Sequence, residues 1–225
     1  NGLDFKRVRF TPNMSNNYYV ACLEDPVAEF RTPVAGATVI PLGRDTFARV
    51  DLEGGRTFPL YGRHYSSLYI GSNGYITFEA GDGTRDNTLE NHFSQPRISG
   101  HFTGLKPDEG GTVYFQQLPN RAVVTFDKVV ITKVGIALTV SFQVEMFFDG
   151  RIVITWLAVD DPYGLVGLSR GGGVPGPGNG PLSWPATRRM PAPMIATPDY
   201  RALLDTAIAE ARQGLAEGGL PIGAA

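Results

Sequence analysis

Ser67-Leu68-Tyr69-Ile70-Gly71-Ser72-Asn73-Gly74-Tyr75-Ile76-Thr77-Phe78 is the stretch whose reading decides the fold class. β-Branched and aromatic residues flank a Gly-Ser-Asn-Gly turn, and Asn73 and Gly74 both tolerate positive φ, so the chain reads here as two strands folded back on each other. Asp149-Gly150 gives the same signal between a strand candidate from Leu138 to Phe148 and another from Arg151 to Val159. Thr112 to Gln116 and Ala122 to Val130 are further strand candidates, and none of these runs carries a helical period. Many short strands with tight turns predict an all-β fold, and an antiparallel β-sandwich in preference to a barrel.

Upstream, Phe47 to Leu52 alternates apolar and polar residues, and Gly54-Gly55 leads to Phe58 and Leu60, which predicts a hairpin. Phe5, Val8 and Phe10 precede Thr11-Pro12-Asn13, and Tyr18, Tyr19 and Val20 follow it, as two strands about a turn would. Pro26 to Pro41 holds too many prolines for a central strand and reads as edge or loop. Downstream, Gly171-Gly172-Gly173 and Pro175-Gly176-Pro177-Gly178 open a linker expected over 171–196, after a β-domain over 1–170. In 197–225, Leu203, Leu204, Ala207, Ile208, Ala211 and Leu215 share one helical face, with Thr197 as cap, Pro198 in the first turn and Gly218-Gly219 as the stop. This segment reads as the entry helix of a further domain that is cut short.

The 28 glycines and 17 prolines among 225 residues suit a chain of strands and turns. Net charge is -2 with no run of like charges, so neither nucleic acid nor an anionic membrane surface is expected as a partner. No apolar stretch reaches the roughly 20 residues that span a bilayer. Cys22 is the one cysteine, which excludes an internal disulfide framework and a multi-cysteine zinc site; it is expected as a small buried hydrophobe. A start at Asn1 and an end at Ala225 within an apolar run suggest a piece of a longer polypeptide.

Leu42 to Ser169 resembles the nidogen-like β-domains of extracellular matrix and plexin-domain-containing proteins, and more closely a domain appended to secreted bacterial proteins. The residues that carry the resemblance are Leu60 to Phe78, Pro96-Arg97-Ile98-Ser99, Gly110-Gly111-Thr112-Val113 and Phe142 to Ile152, in that order. It implies an extracellular or cell-surface, non-catalytic module for adhesion, binding or spacing beside other domains of the same polypeptide, with an extracellular protein or a carbohydrate as ligand. Relatives usually carry an acidic pair after the Pro-Arg-Ile-Ser block, where this chain has His101-Phe102-Thr103-Gly104-Leu105. A second resemblance covers Asp199 to Ala225 alone, where Ala207 to Ala225 is similar to the first helix and strand entry of cytosine and related nucleobase deaminases. That family holds zinc through H-x-E and P-C-x-x-C motifs downstream of this helix, and these residues contain neither. The alternative function is therefore the leading part of a fused zinc-dependent deaminase.

Other chemistry is weighed and set aside. His64, Ser66 and Asp51 make a triad on paper without the G-x-S-x-G elbow. Glu79 to Asp86, with Glu90, offers oxygen ligands for calcium but lacks the EF-hand spacing, so a solvated loop is favoured. Asp160-Asp161-Pro162-Tyr163-Gly164 reads as a turn. Tyr61, Tyr65, Tyr69 and Tyr75 would line a carbohydrate platform if the chain stayed extended, although core packing is the favoured use. His64, His92 and His101 receive no role. The chain is expected to carry no catalytic residue, cofactor or metal.

Overall fold

In a computed structural model the described residues are 2–13, 19–24, 26–133 and 135–174. Their elements are β1 (Lys6–Pro12), β2 (Tyr19–Glu24), β3 (Thr38–Val39), β4 (Phe47–Asp51), β5 (Phe58–Leu60), β6 (Arg63–Tyr65), β7 (Ser67–Gly71), β8 (Tyr75–Thr77), α1 (Leu89–Phe93), β9 (Pro96–Phe102), β10 (Thr112–Leu118), β11 (Arg121–Lys133), β12 (Ile136–Phe147), β13 (Ile152–Val159) and β14 (Leu165–Arg170). One sheet has the order β2-β1-β13-β12-β11-β10-β3 and a second β14-β9-β8-β7-β4, while β5 and β6 form a separate ribbon. All the strand pairs are antiparallel.

The two sheets meet as a sandwich because alternate residues of β12 and β13 are large and apolar on one side. Phe142, Val144 and Met146 pair with Trp156, Ile154 and Ile152, all buried. The Phe126 ring stacks on Phe142 at 4.6 Å. From the second sheet, Gly100 comes so close that a Cβ there would overlap Phe142 and Val144, and its carbonyl accepts the Trp156 Nε1–H at 2.8 Å.

Each sheet also has a covered outer face. Residues 26–37 run as a strap over the larger sheet, where Gln143 and Glu145 of β12 point away from the core. The Thr32 hydroxyl donates to Glu145 Oε1 at 2.7 Å, and Gln143 Nε2 donates to the Thr32 carbonyl at 2.7 Å. Arg121 approaches the buried Glu145 carboxylate to 2.9 Å. Residues 79–95, including α1, cover the smaller sheet in the same way.

The Ser67-to-Phe78 hairpin forms as expected, with Ile70 opposite Ile76. Its turn differs in detail: only Gly74 has positive φ (84°), and the Gly74 amide donates to the Gly71 carbonyl. A Cβ on Gly74 would overlap the His101 carbonyl, so glycine is required here by close approach as well as by conformation. The Asp149-Gly150 hairpin likewise joins β12 to β13.

The expected hairpin about Gly54-Gly55 does not form. β4 pairs with β7, while β5 turns back through Tyr61-Gly62, both at positive φ, to pair with β6. Burial decides this: Phe58 stacks on Phe78 at 5.5 Å, which draws β5 away from β4. β9, β14 and α1 had no counterpart among the expected elements, and β9 lies inside a sheet with every residue buried. Cys22, expected buried, is exposed, because β2 is an outermost strand and Cys22 sits opposite Arg9 on the side away from the core. The described unit closes at Val174, and the expected C-terminal helix lies outside the described residues, as does the linker beyond that point.

Candidate functional site

β9 organises the polar interior. Its side chains Arg97, Ser99 and His101 are buried in a sheet, so each must meet a partner or lose its hydration uncompensated. Arg97 Nη2 donates to Asp82, its guanidinium carbon lies 4.2 Å from the Tyr75 ring centroid and 5.2 Å from that of Phe102. Arg97 Nε and Nη1 have no hydrogen-bond partner among the described residues, and the two rings face the guanidinium there. Burial pushes the Asp82 carboxyl up, but the Thr84 amide and the Arg97 guanidinium outweigh it and hold the group below the usual carboxylate range. Ser99 Oγ lies 2.9 Å from His92 Nδ1, and burial pushes the His92 imidazole down to about 4, so it is neutral at pH 7. His101 Nε2 lies 3.2 Å from Asp161 Oδ2, both side chains being buried.

At the end of the smaller sheet, Asn73 gathers three loops. Its Nδ2 donates to Asp45 Oδ1 at 3.0 Å, the Gly83 carbonyl at 3.0 Å and the Thr84 carbonyl at 3.2 Å. The Asn73 carbonyl accepts from the Thr103 amide, and the Tyr75 hydroxyl lies 2.8 Å from the Thr84 carbonyl. The gathered loops wall a cleft of about 390 Å³, lined among others by Arg44, Asp45, Arg85, Asp86, Thr103 and Lys106. Glu109 binds both Arg44 and Lys106 beside it.

The residues weighed from sequence fall elsewhere or are already engaged. His64 is exposed with Nδ1 3.1 Å from Thr57 Oγ1, and Asp51 holds Arg49, so Ser66, His64 and Asp51 do not assemble as a triad. Glu79 pairs with Arg63 and Asp82 with Arg97, while Asp86 sits near Arg85, which disperses the proposed calcium ligands. Among the described residues no group of three or more His, Cys, Asp or Glu side chains gathers as a metal site. Tyr61, Tyr65 and Tyr69 do not line up, because the Tyr61-Gly62 turn reverses the chain; Tyr61 packs edge-on against Tyr19 at 5.1 Å and Tyr75 is buried. The Arg97–Asp82, Ser99–His92 and His101–Asp161 pairs were missed. The one sequence sign of them is the Pro-Arg-Ile-Ser block that opens β9.

An all-β sandwich whose ionisable interior braces its own loops is a module built round packing. A family described as NIDO related matches residues 26–173, and the chain belongs to that family. The match stops short of residues 199–225 and does not bear on their deaminase resemblance. No curated protein and no solved structure matches the chain. No described helix is long and apolar enough to cross a membrane.

Proposed function

We propose that this chain is a non-catalytic, extracellular or cell-surface β-module that binds or spaces a partner for a larger polypeptide, with the β-domain over 1–170 and a linker over 171–196. The observation that carries the reading is the division of polar groups. The histidine pairs of β9 are sealed in the interior, whereas open polar side chains line the cleft beside Asn73. A catalytic base needs access to substrate, and His92 and His101 are 2% and 1% exposed. Membership of the NIDO-related family supports the extracellular setting.

The test is protease added to intact producing cells. Digestion of the chain from outside, with a cytoplasmic marker left whole, supports the module reading; protection until the cells are lysed overturns it. A second reading, the leading part of a deaminase fusion, rests on residues 199–225 alone. It requires an H-x-E and then a P-C-x-x-C motif after Ala225 in the gene.

A further inference from the structure

β4 is an outermost strand of the smaller sheet, and the direction of its backbone groups follows from the bonds at its two ends. The Ser72 amide donates to the Thr46 carbonyl and the Leu52 amide to the Ser66 carbonyl, so the even-numbered residues bond to β7. Direction alternates along an antiparallel ladder, which turns the N–H and C=O groups of Phe47, Arg49 and Asp51 outward. Those groups have no hydrogen-bond partner among the described residues. The free edge ends at Glu53, whose amide donates to Gln117 Oε1 and whose carbonyl accepts from Gln117 Nε2.

An edge of this kind is usually blunted by proline, a bulge or shortness. β4 has no proline and no register shift, and Phe47 at its start is 48% exposed. The other outermost strands differ: β3 is two residues long, and β14 is interrupted by a register shift between Leu165 and Gly167. β2 carries a single charge, Glu24, already held by Arg7 and Arg9.

The sequence of β4 complements itself when reversed about Val50. Arg49 then stands opposite Asp51 of a second copy, and Asp51 opposite its Arg49, on the exposed face. On the core face Val50 meets Val50 and Ala48 meets Leu52, apolar against apolar. Both Arg49–Asp51 pairs join outward-facing residues, so each exchanges two N–H···O bonds. Moving the axis by one residue, to Arg49 or to Asp51, sets like charges opposite each other. Within one copy Arg49 Nη2 lies 2.8 Å from Asp51 Oδ1, but the side chains are 58% and 69% exposed, so that pair contributes little by itself. Arg49 Nη1 and Asp51 Oδ2 stay available to the second copy.

We propose that this chain self-associates through β4, two copies pairing antiparallel about a two-fold axis at Val50 so that their five-stranded sheets run on as one. So short a contact makes a weak interface, with a dissociation constant on the order of 100 µM. The proposal goes beyond the module reading and does not depend on where the chain resides.

The experiment is sedimentation equilibrium on the full chain between about 10 µM and about 1 mM, a range that brackets this constant. Wild type is expected to pass from monomer to dimer across it. Arg49→Asp and Asp51→Arg each set like charges across the axis, and each is expected to weaken association about tenfold or more. Mixed in equal amounts, the two variants are expected to recover it, because the acidic strand of one then faces the basic strand of the other. Neither a misfolded variant nor a dimer formed elsewhere on the surface gives that recovery. The proposal is overturned by a wild type that stays monomeric throughout, by association indifferent to both substitutions, or by a mixture that associates no better than its components.

Discussion

Asn73 Nδ2 lies 3.0 Å from Asp45 Oδ1, and this contact ties the β7–β8 turn to the loop before β4. The two amide hydrogens are shared among three oxygens, all of them acceptors. Asn73→Ala is expected to lower unfolding free energy by about 2–4 kcal/mol, taking roughly 1 kcal/mol per lost bond plus the cost of orphaned acceptors. Asn73→Asp should cost more, since it sets a carboxylate against Asp45 and two carbonyls. Urea unfolding of the two variants checks the order, and an aspartate variant as stable as wild type would contradict it.

Arg97 is held by one carboxylate and two aromatic rings at once. A lysine lacks the planar fork that allows stacking and ion pairing together. Arg97→Lys is therefore expected to lose about 2–4 kcal/mol, most of it from the imperfectly satisfied buried charge. Thermal denaturation followed by near-ultraviolet circular dichroism, which senses Tyr75 and Phe102, is the suitable readout. Loss confined to below 1 kcal/mol would mean that the rings contribute little.

His92 gives the pH dependence a sign. Its folded pKa of about 4 lies below the ordinary 6.5, so the unfolded chain takes up the proton first as pH falls. Stability from this group is whole above pH 6.5, declines as pH drops from there, and is lost below about 4, by up to about 3 kcal/mol. His92→Gln should flatten that slope between pH 6.5 and 4. An unchanged slope in the variant would assign the effect to other groups.

Legibility in the sequence followed the local pattern. Ile70 and Ile76 are close in the chain and frame a turn, so their hairpin was readable. β9 was not, because Pro96-Arg97-Ile98-Ser99-Gly100-His101-Phe102 reads as polar until its partners are known. Those partners lie 15, 7 and 60 residues away, at Asp82, His92 and Asp161, and nothing in the local pattern marks them. Gly54-Gly55 misled for the related reason that turn chemistry fixes a reversal but not which strand lies beyond it. The cleft was not foreseen: Asp45, Asp86 and Thr103 come together only because Asn73 draws their loops inward.

Glu145 is a buried carboxylate shared by Arg121 and Arg31, with the Thr32 hydroxyl as donor. Glu145→Ala is expected to destabilise by about 2–4 kcal/mol, somewhat under the usual cost of orphaning a buried charge because Arg121 stays 19% exposed. The double variant Glu145→Met, Arg121→Met should recover at least half of that loss. Failure to recover would point to packing under the strap instead of charge.

The strap and β1 have a kinetic consequence. Arg7 bonds Thr155 across 148 residues, and Thr32 bonds Glu145 across 113. A chain delivered from its N-terminus shows β1 and β2 first, as a lone hairpin of the kind that is marginal in water. The hairpin gains its neighbour only when β13 arrives, so sheet closure comes late and the exposed edge of β1 persists for as long as delivery takes. Slower delivery lengthens that interval, and the yield of folded protein becomes a matter of timing as much as of stability.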